Sequence, residues 1–353
     1  MKIAIVTDIH FGARGDSRVF HEVQRKFFHE VFFPYLDKHN ITTVFDLGDT
    51  FDRRKYINYV SLQHAKTALF DGLAERNIEF HALIGNHDTY YSNTNEVNSM
   101  NLLLKEYPNF TLYQDLGKHL EIGGTKFLML PWISRENSEH NLEFIKNSDA
   151  DVVMAHLEMR GFEMMRGQLC AHGLELGVFK QFQDVYSGHF HHPSRYKNLE
   201  YLGAPYEMMW GDYKGKRGFH VFDTETREME KILNPNRVFF KINYDDETWT
   251  VDDVANFDVD KYKDTYVKII IKNRTNAYLY DLFMNRMSEC GAVDIKAIED
   301  NLNLADYGDE EILDETKDTS ELLSDYIESI ETTADKERVK SVVNELYSEA
   351  LSL

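Results

Sequence analysis

The chain has 353 residues, 42% hydrophobic and 13% aromatic, which excludes global disorder and points to two or three domains rather than one core. Its formal net charge of −21 argues that this chain is not by itself the main grip on a polyanion. Two cysteines, Cys170 and Cys290, exclude a disulfide framework and a thiolate metal site, and no apolar run reaches the length of a membrane span.

Taken in order, Met1-Lys2-Ile3-Ala4 enters a strand directly rather than a signal peptide, so a reducing cytoplasm is the expected setting. The strand Ile3 to Val6 stops at Asp8-Ile9-His10. Asp16 or Ser17 can cap a helix to about His39, on which Val19, Val23, Phe27, Val31 and Tyr35 recur every fourth residue. Pro34 predicts a kink or an early end, and Asn40 a stop. Ile41 to Leu47 reads as a buried strand ending at Gly48-Asp49, with Asp52 following. A second helix, Ser61 to about Arg76, carries Leu62, Ala65, Leu69 and Leu73 on one face. The strand Phe80 to Ile84 runs into Gly85-Asn86-His87-Asp88, and a third helix over about Glu96 to Tyr107 carries Met100, Leu103 and Leu104. Val152 to Met154 ends at Ala155-His156, and Val185-Tyr186 at Gly188-His189-Phe190-His191. Period 2 in that last motif puts both imidazoles on one face of an extended chain.

Short strands follow at Leu199 to Leu202, Arg217 to Asp223 and Met229 to Leu233, and Pro235, the last proline, marks a domain boundary. The first domain is therefore expected over 1–235. A small α+β domain is expected over 238–300, with strands Phe239 to Ile242, Tyr266 to Ile271 and Val293 to Ile298 and a helix from about Ala277 to Cys290. Lys268, Lys272, Arg274 and Arg286 can meet DNA there, although any one of them alone reads as an ordinary surface cation. Residues 301–319 form an acidic linker. Between Glu299 and Glu331 lie 13 acidic residues and one basic, Lys317, which is 12 of the 21 net negative charges. Residues 320–353 read as two amphipathic helices. Leu322, Leu323, Tyr326, Ile327 and Ile330 share one stripe; Val339, Val342, Val343, Leu346 and Tyr347 share another at seam-like spacing. Such stripes suit packing on the chain's own domains or on a partner's coiled coil.

Each polar cluster alone is an ordinary turn, and Gly-Asn-His-Asp in particular suits a tight turn with positive φ. Five in succession at strand ends are another matter, because parallel strands bring their carboxyl ends to one crevice. Asp8, His10, Asp49, Asn86, His156, His189 and His191 are thereby expected to converge. Carboxylate, imidazole and amide oxygen without thiolate suit two divalent ions of the manganese or iron type, with magnesium also compatible.

These motifs, D-x-H, G-D-x-x-D, G-N-H-D, H and G-H-x-H, resemble the calcineurin-like metallophosphoesterase superfamily. Gly48-Asp49-Thr50-Phe51-Asp52 and Gly85 to Asp88 look more narrowly like the SbcD-type nuclease subunit of double-strand-break repair. Ala155-His156-Leu157-Glu158 with Gly161-Phe162, and the Thr-Glu-Thr turn after Asp223, look like the version carried by T-even-like phages. The resemblance implies a layered α/β sandwich with a small capping domain and a C-terminal helical hairpin. It implies one ion on Asp8, His10, Asp49 and His191, and a second on Asp49, Asn86, His156 and His189, with Asp49 shared. It makes His87 a catalytic donor to the scissile phosphate or leaving oxygen, with Asp88 orienting its ring. Some relatives have histidine where this chain has Asp52, so Asp52 is expected to orient His10 or a water instead.

The same resemblance implies exonuclease action on duplex ends and endonuclease action on single strands, during recombination and replication. The implied partner is an SbcC-type ABC ATPase with a coiled coil, which supplies the basic DNA surface, in a heterotetramer built on a homodimer. The second and third helices are the implied dimer contact. For a phage-encoded chain the compartment is the host cytoplasm. Two rival readings remain: a phosphatase or cyclic-nucleotide phosphodiesterase on the same metal pair, and a non-cutting scaffold for DNA ends.

Overall fold

The computed structural model describes residues 1–165 and 168–299, with isolated positions at 327, 336, 338–340 and 343. Contacts divide the chain into a unit of residues 1–307 and a unit of residues 308–353. In the first unit two six-stranded sheets dominate. One runs, edge to edge, Met229–Leu233, Gly218–Asp223, Lys2–Val6, Thr43–Asp46, Glu79–Leu83, Phe110–Tyr113. The other runs Ser194–Tyr196, Leu199–Tyr201, Asp184–Gly188, Val152–His156, Thr125–Leu130, Lys118–Ile122. The central pairs of both are parallel; Gly218–Asp223, second from one edge, reverses in the first sheet, and the two edge strands reverse in the second.

The central strands are almost wholly apolar because both of their faces are covered. Alternate residues divide between two environments. Ile3, Ile5, Phe45, Leu47 and Leu83 of the first sheet meet Phe127, Met129, Met154 and Tyr186 of the second in one buried cluster. The intervening Ala4, Val6, Val44, Phe80 and Ala82 face Phe20, Phe27, Phe28, Leu69 and Leu73 on the helices. On the far side, Leu128, Leu130, Val153 and Val185 pack with Ile145, Phe179 and Phe182. The layers are helix, sheet, sheet, helix, which is the sandwich expected from the resemblance.

Two helices differ from the sequence reading. The first runs from Arg18 to His39 without ending at Pro34. Over Phe27–Phe32 its ladder widens to a π-turn, and the Phe33 N–H reaches back to the Phe28 carbonyl. Pro34, which has no N–H to give, falls where the ladder changes, so no kink is forced. Asn40, at φ 52°, stops the helix as expected. Neither expected residue caps its start: Ser17 makes no side-chain cap, and Asp16 is engaged by Arg53 and Ser61. The second helix starts at Tyr59 with Asn58 capping Val60 N, and the third spans only Ser99–Leu104 with Asn98 capping Asn101 N.

The segment after Pro235 forms a three-stranded parallel sheet of Phe239–Asp245, Tyr266–Asn273 and Asp294–Glu299, covered by the helix Ala277–Glu289. Its core of Ile242, Tyr244, Val267, Ile269, Phe283 and Met287 is its own. A short helix, Val251–Ala255, capped by Thr250, had no expectation attached. The linker 301–319 and Leu322, Leu323, Tyr326, Ile330, Val342, Leu346 and Tyr347 lie outside the described residues. Of the expected stripes, Ile327 is helical and buried, and Val339 and Val343 are helical and half-buried.

Candidate metal centre

The clusters gather at the carboxyl ends of parallel strands, with His156 the last residue of its own strand and the others carried on loops in unusual backbone conformations. Asp8, His10, Asp49 and His189 all have positive φ, at 53°, 50°, 56° and 94°. Non-glycine residues hold such angles only where surrounding structure imposes them. That structure is visible. The Asp8 N–H donates to Gly48 O and the His10 N–H to Asp49 O, so the first two loops form a ladder beyond their strands. At Gly85 a Cβ would collide with Asp49, and at Gly48 it would collide with Gly85, so these two glycines let the second and third loops touch.

Asp88 is the keystone of this contact. Its carboxylate accepts from Asp49 N at 2.9 Å, Gly85 N at 3.0 Å and Phe51 N at 3.1 Å. Burial and then the neighbouring Asp49 push its pKa up to about 7. It does not orient His87, as the resemblance implied. His87 Nδ1 instead bonds the Asp52 carbonyl at 2.6 Å, because Asp88 is fully engaged by three backbone N–H groups. Since a carbonyl only accepts, His87 carries its proton on Nδ1 when neutral, and Nε2 is the nitrogen left for chemistry. The Asp52 carboxylate lies 3.3 Å from His10 Nδ1, where it can orient that ring.

The seven expected donors converge. Ligand-capable atoms of Asp8, His10 and His191 lie within 4.8 Å of one another, as do those of Asp49, His156 and His189. His10, Asp49 and His87 make a third such group. Asn86 Oδ1 lies 3.0 Å from His156 Nε2 and 2.9 Å from His189 Nδ1, and Asp49 Oδ2 is 3.3 Å from His156 Nε2. The His156 Nδ1–H donates to Leu47 O at 2.7 Å, which leaves Nε2 with its lone pair toward the cluster.

The charge balance fits cations. Burial alone would lower His10 and His156, yet the carboxylates around them, Asp52 and then Asp49 for the first and Asp49 and then Asp8 for the second, raise both to about 9. The pocket thus draws positive charge inward. His191, lowered by burial and then by His10 and Arg217, stays neutral. Its Nε2 faces His10 Nε2 at 3.0 Å, an approach that needs a shared proton or a cation between the rings. Carboxylates, imidazoles and one amide oxygen at these spacings are competent to hold two divalent ions of the manganese, iron or magnesium type.

Several supporting residues had no sequence signal. Gln24, buried on the first helix, donates to the carbonyls of Ile9 and His10 at 3.1 Å, and Tyr206 donates to Ile9 O. Arg217 donates to the His191 carbonyl and to Asp212, which accepts from Met208 N and Met209 N. Arg54 donates to Asn86 O at 2.8 Å. Trp132 flanks His189 and His156, with ring centroids 5.1 and 5.9 Å away. All of them act on backbone or ring faces from remote segments, which no local motif encodes.

Comparison with known proteins bears on the same residues. The profile of calcineurin-like phosphoesterases matches residues 1–193, which include all seven donors. Exonuclease subunit 1 of Enterobacteria phage T4 is 31% identical over 356 aligned residues, covering 99% of both chains, in line with the expected kinship to T-even-like phage proteins. Among solved structures, a novel archaeal phosphodiesterase is 18% identical over 66% of this chain and 100% of its own, with a TM-score of 0.35. The glutamine-dependent NAD+ synthetase of Acinetobacter baumannii is 10% identical over 99% and 72%, with a TM-score of 0.29. At those TM-scores neither likeness carries an argument. The strand-end donors, the profile match over more than half the chain and the end-to-end relative agree: the chain belongs to the calcineurin-like phosphoesterase family.

Proposed function

We propose that this chain is the nuclease subunit of an ATPase–nuclease complex that processes DNA double-strand ends. The observation that carries the reading is the similarity to a phage exonuclease subunit along 99% of the chain, well past the phosphoesterase core. A phosphatase for small esters has no evident use for the domain after Pro235 or for the C-terminal segment.

Asp8, His10, Asp49 and His191 would hold one divalent ion, and Asp49, Asn86, His156 and His189 the second. When bound, such ions activate water and offset the charge that develops on the phosphoryl oxygens. The chain's own groups supply the rest. Asp49 keeps its negative charge because neighbouring imidazoles, His156 first, outweigh the burial that would protonate it. His87, fixed through Nδ1, offers Nε2 to a phosphoryl oxygen or the leaving oxygen. Asp52 orients His10, and Asp88 locks the second loop onto the third.

The partner reading rests on residues 320–353, where Leu322 to Ile330 and Val339 to Tyr347 would dock on the coiled coil of an SbcC-type ATPase. Removing 320–353 should abolish that complex while leaving metal binding intact; a complex that survives deletion removes the docking claim. Homodimerisation through the second and third helices is supported by exposed apolar groups. Tyr59, 87% exposed, and Leu102, 60% exposed, line a groove of about 200 Å³ with Tyr56, Ile57, Leu62, Tyr90, Val97 and Leu103, and Val60 beside Tyr59 is 61% exposed. Patches of this kind mark interaction sites.

The functional test compares manganese-dependent release of nucleotides from linear duplex DNA with turnover of a small aryl phosphodiester. His87→Asn should lower kcat on DNA by about 10²- to 10⁴-fold with two ions still bound. Full activity in that variant removes His87 from the chemistry. A wild-type chain that turns over only the small ester is a phosphodiesterase of another kind.

A further inference from the structure

Among the described residues, several cations stand together at a place the metal centre does not use. The loop that follows Met208 carries Trp210, Tyr213 and Lys214, and it lies against the small parallel sheet through the tilted rings of Trp210 and Phe239, 4.9 Å apart. Around Tyr213 stand Lys214 Nζ at 5.3 Å, Lys241 Nζ at 5.0 Å and the Arg237 guanidinium at 5.9 Å from the ring centroid. Lys268 Nζ lies 4.2 Å over Trp210. The Arg14 guanidinium lies 5.9 Å from Phe239 and 5.3 Å from Tyr266, and it donates to Met208 O.

Arg237 has its own anion, the buried Glu207, at 2.7 Å. Lys214 and Lys241, both exposed, make no ion pair among the described residues. Their ammonium groups share one ring, which keeps them no more than about 10 Å apart, within a Debye length at ordinary salt. Two cations held together without a counter-carboxylate repel each other, and the aromatic quadrupole offsets only part of that. A polyanion laid across them removes the repulsion.

The place is also tied to the reaction centre. Arg217, at the end of the same loop, holds the His191 carbonyl, and Arg14 follows His10 by four residues. We infer that Arg14, Lys214, Lys241 and Lys268, set on the aromatic seam of Trp210 and Tyr213, receive the phosphodiester backbone of DNA on its way to the metal centre. This rests on the nuclease reading and names the surface that reading lacks. The cations bind phosphates without regard to sequence, and the rings can stack on unpaired bases of a strand end.

The test uses the full-length chain with Mn2+ and a phosphorothioate duplex that resists cutting. Lys214→Glu/Lys241→Glu is compared with Lys118→Glu/Lys180→Glu, which changes the net charge equally at exposed positions elsewhere. The first pair should weaken binding about tenfold at 50 mM salt and make the plot of log K against log salt shallower by about 2, one unit per phosphate contact. It should also slow release of nucleotides from ordinary duplex more than turnover of an aryl phosphodiester, which is too small to reach the seam. The control pair should bind within about twofold of wild type. If the two pairs bind alike, the seam is not the DNA path, and the nuclease reading stands without it. If the wild-type chain hydrolyses the aryl ester yet neither binds the duplex nor releases nucleotides, the nuclease reading fails and this inference with it.

Discussion

The two sheets contribute unlike halves of one site. From the first come both carboxylates, the amide oxygen and a single imidazole: Asp8, Asp49, Asn86 and His10. From the second come imidazoles alone: His156, His189 and His191. The first half is built on strained turns locked to each other by Asp88; in the second, His156 still belongs to its strand. The difference teaches that neither sheet carries the whole set of candidate donors by itself. The site exists only where the sandwich closes, so packing between sheets and ion affinity are linked.

The largest effect should come from Asp49, the residue proposed to serve both ions. Asp49→Asn removes the shared charge, and calorimetry should show both ions lost and kcat lowered on the order of a thousandfold or more. His156→Ala, on the second sheet, should cost one ion and keep the other. Equal loss in the two variants would deny Asp49 its bridging place.

Core truncations sharpen the same contrast. Phe45→Ala, at the interface between sheets, should cost about 3–5 kcal/mol in denaturant unfolding and weaken ion binding without touching a ligand. Phe179→Ala, on the outer side of the second sheet, should cost similar stability with ion affinity unchanged. A smaller, local effect is expected at the His191 loop. Lys cannot span the two acceptors that Arg217 holds, so Arg217→Lys should weaken ion binding roughly tenfold while leaving the fold intact by circular dichroism.

The smallest effect lies away from the site. Burial and the stacked His21 hold His64 down to about 4. An unfolded histidine takes its proton near pH 6.5. Between those values the unfolded chain binds the extra proton, so stability falls as pH drops from about 6.5 toward 4 and is flat above. His64→Phe, beside Phe11, should flatten that part of the acid limb in thermal melts, and an unchanged slope would assign it to other groups.

The convergence of the seven candidate donors was legible because its grammar is local. Asp8-Ile9-His10 and Gly188-His189-Phe190-His191 announce themselves wherever a buried strand runs into polar ligands, and the strand ends were where the apolar runs stopped. The supports were not legible. Gln24, Arg217 and Tyr206 reach the ligand loops from 14 to 197 residues away, and their meaning arises only on folding. Asp88 was readable as a site residue, yet the resemblance implied His87 as its partner, whereas folding brings three backbone N–H groups to its carboxylate. The helix through Pro34 shows a further limit. Proline's cost depends on hydrogen-bond register, and a π-turn over Phe27–Phe32 shifts that register out of reach of a pattern rule.

Anomalous diffraction at the manganese edge, from crystals of the full chain grown with Mn2+, asks the central question most directly. Two peaks should appear between the sheets, both within bonding distance of Asp49, one shared with Asp8, His10 and His191 and the other with Asn86, His156 and His189. A single peak, or density elsewhere with these seven side chains unengaged at saturating ion, would contradict a two-cation centre.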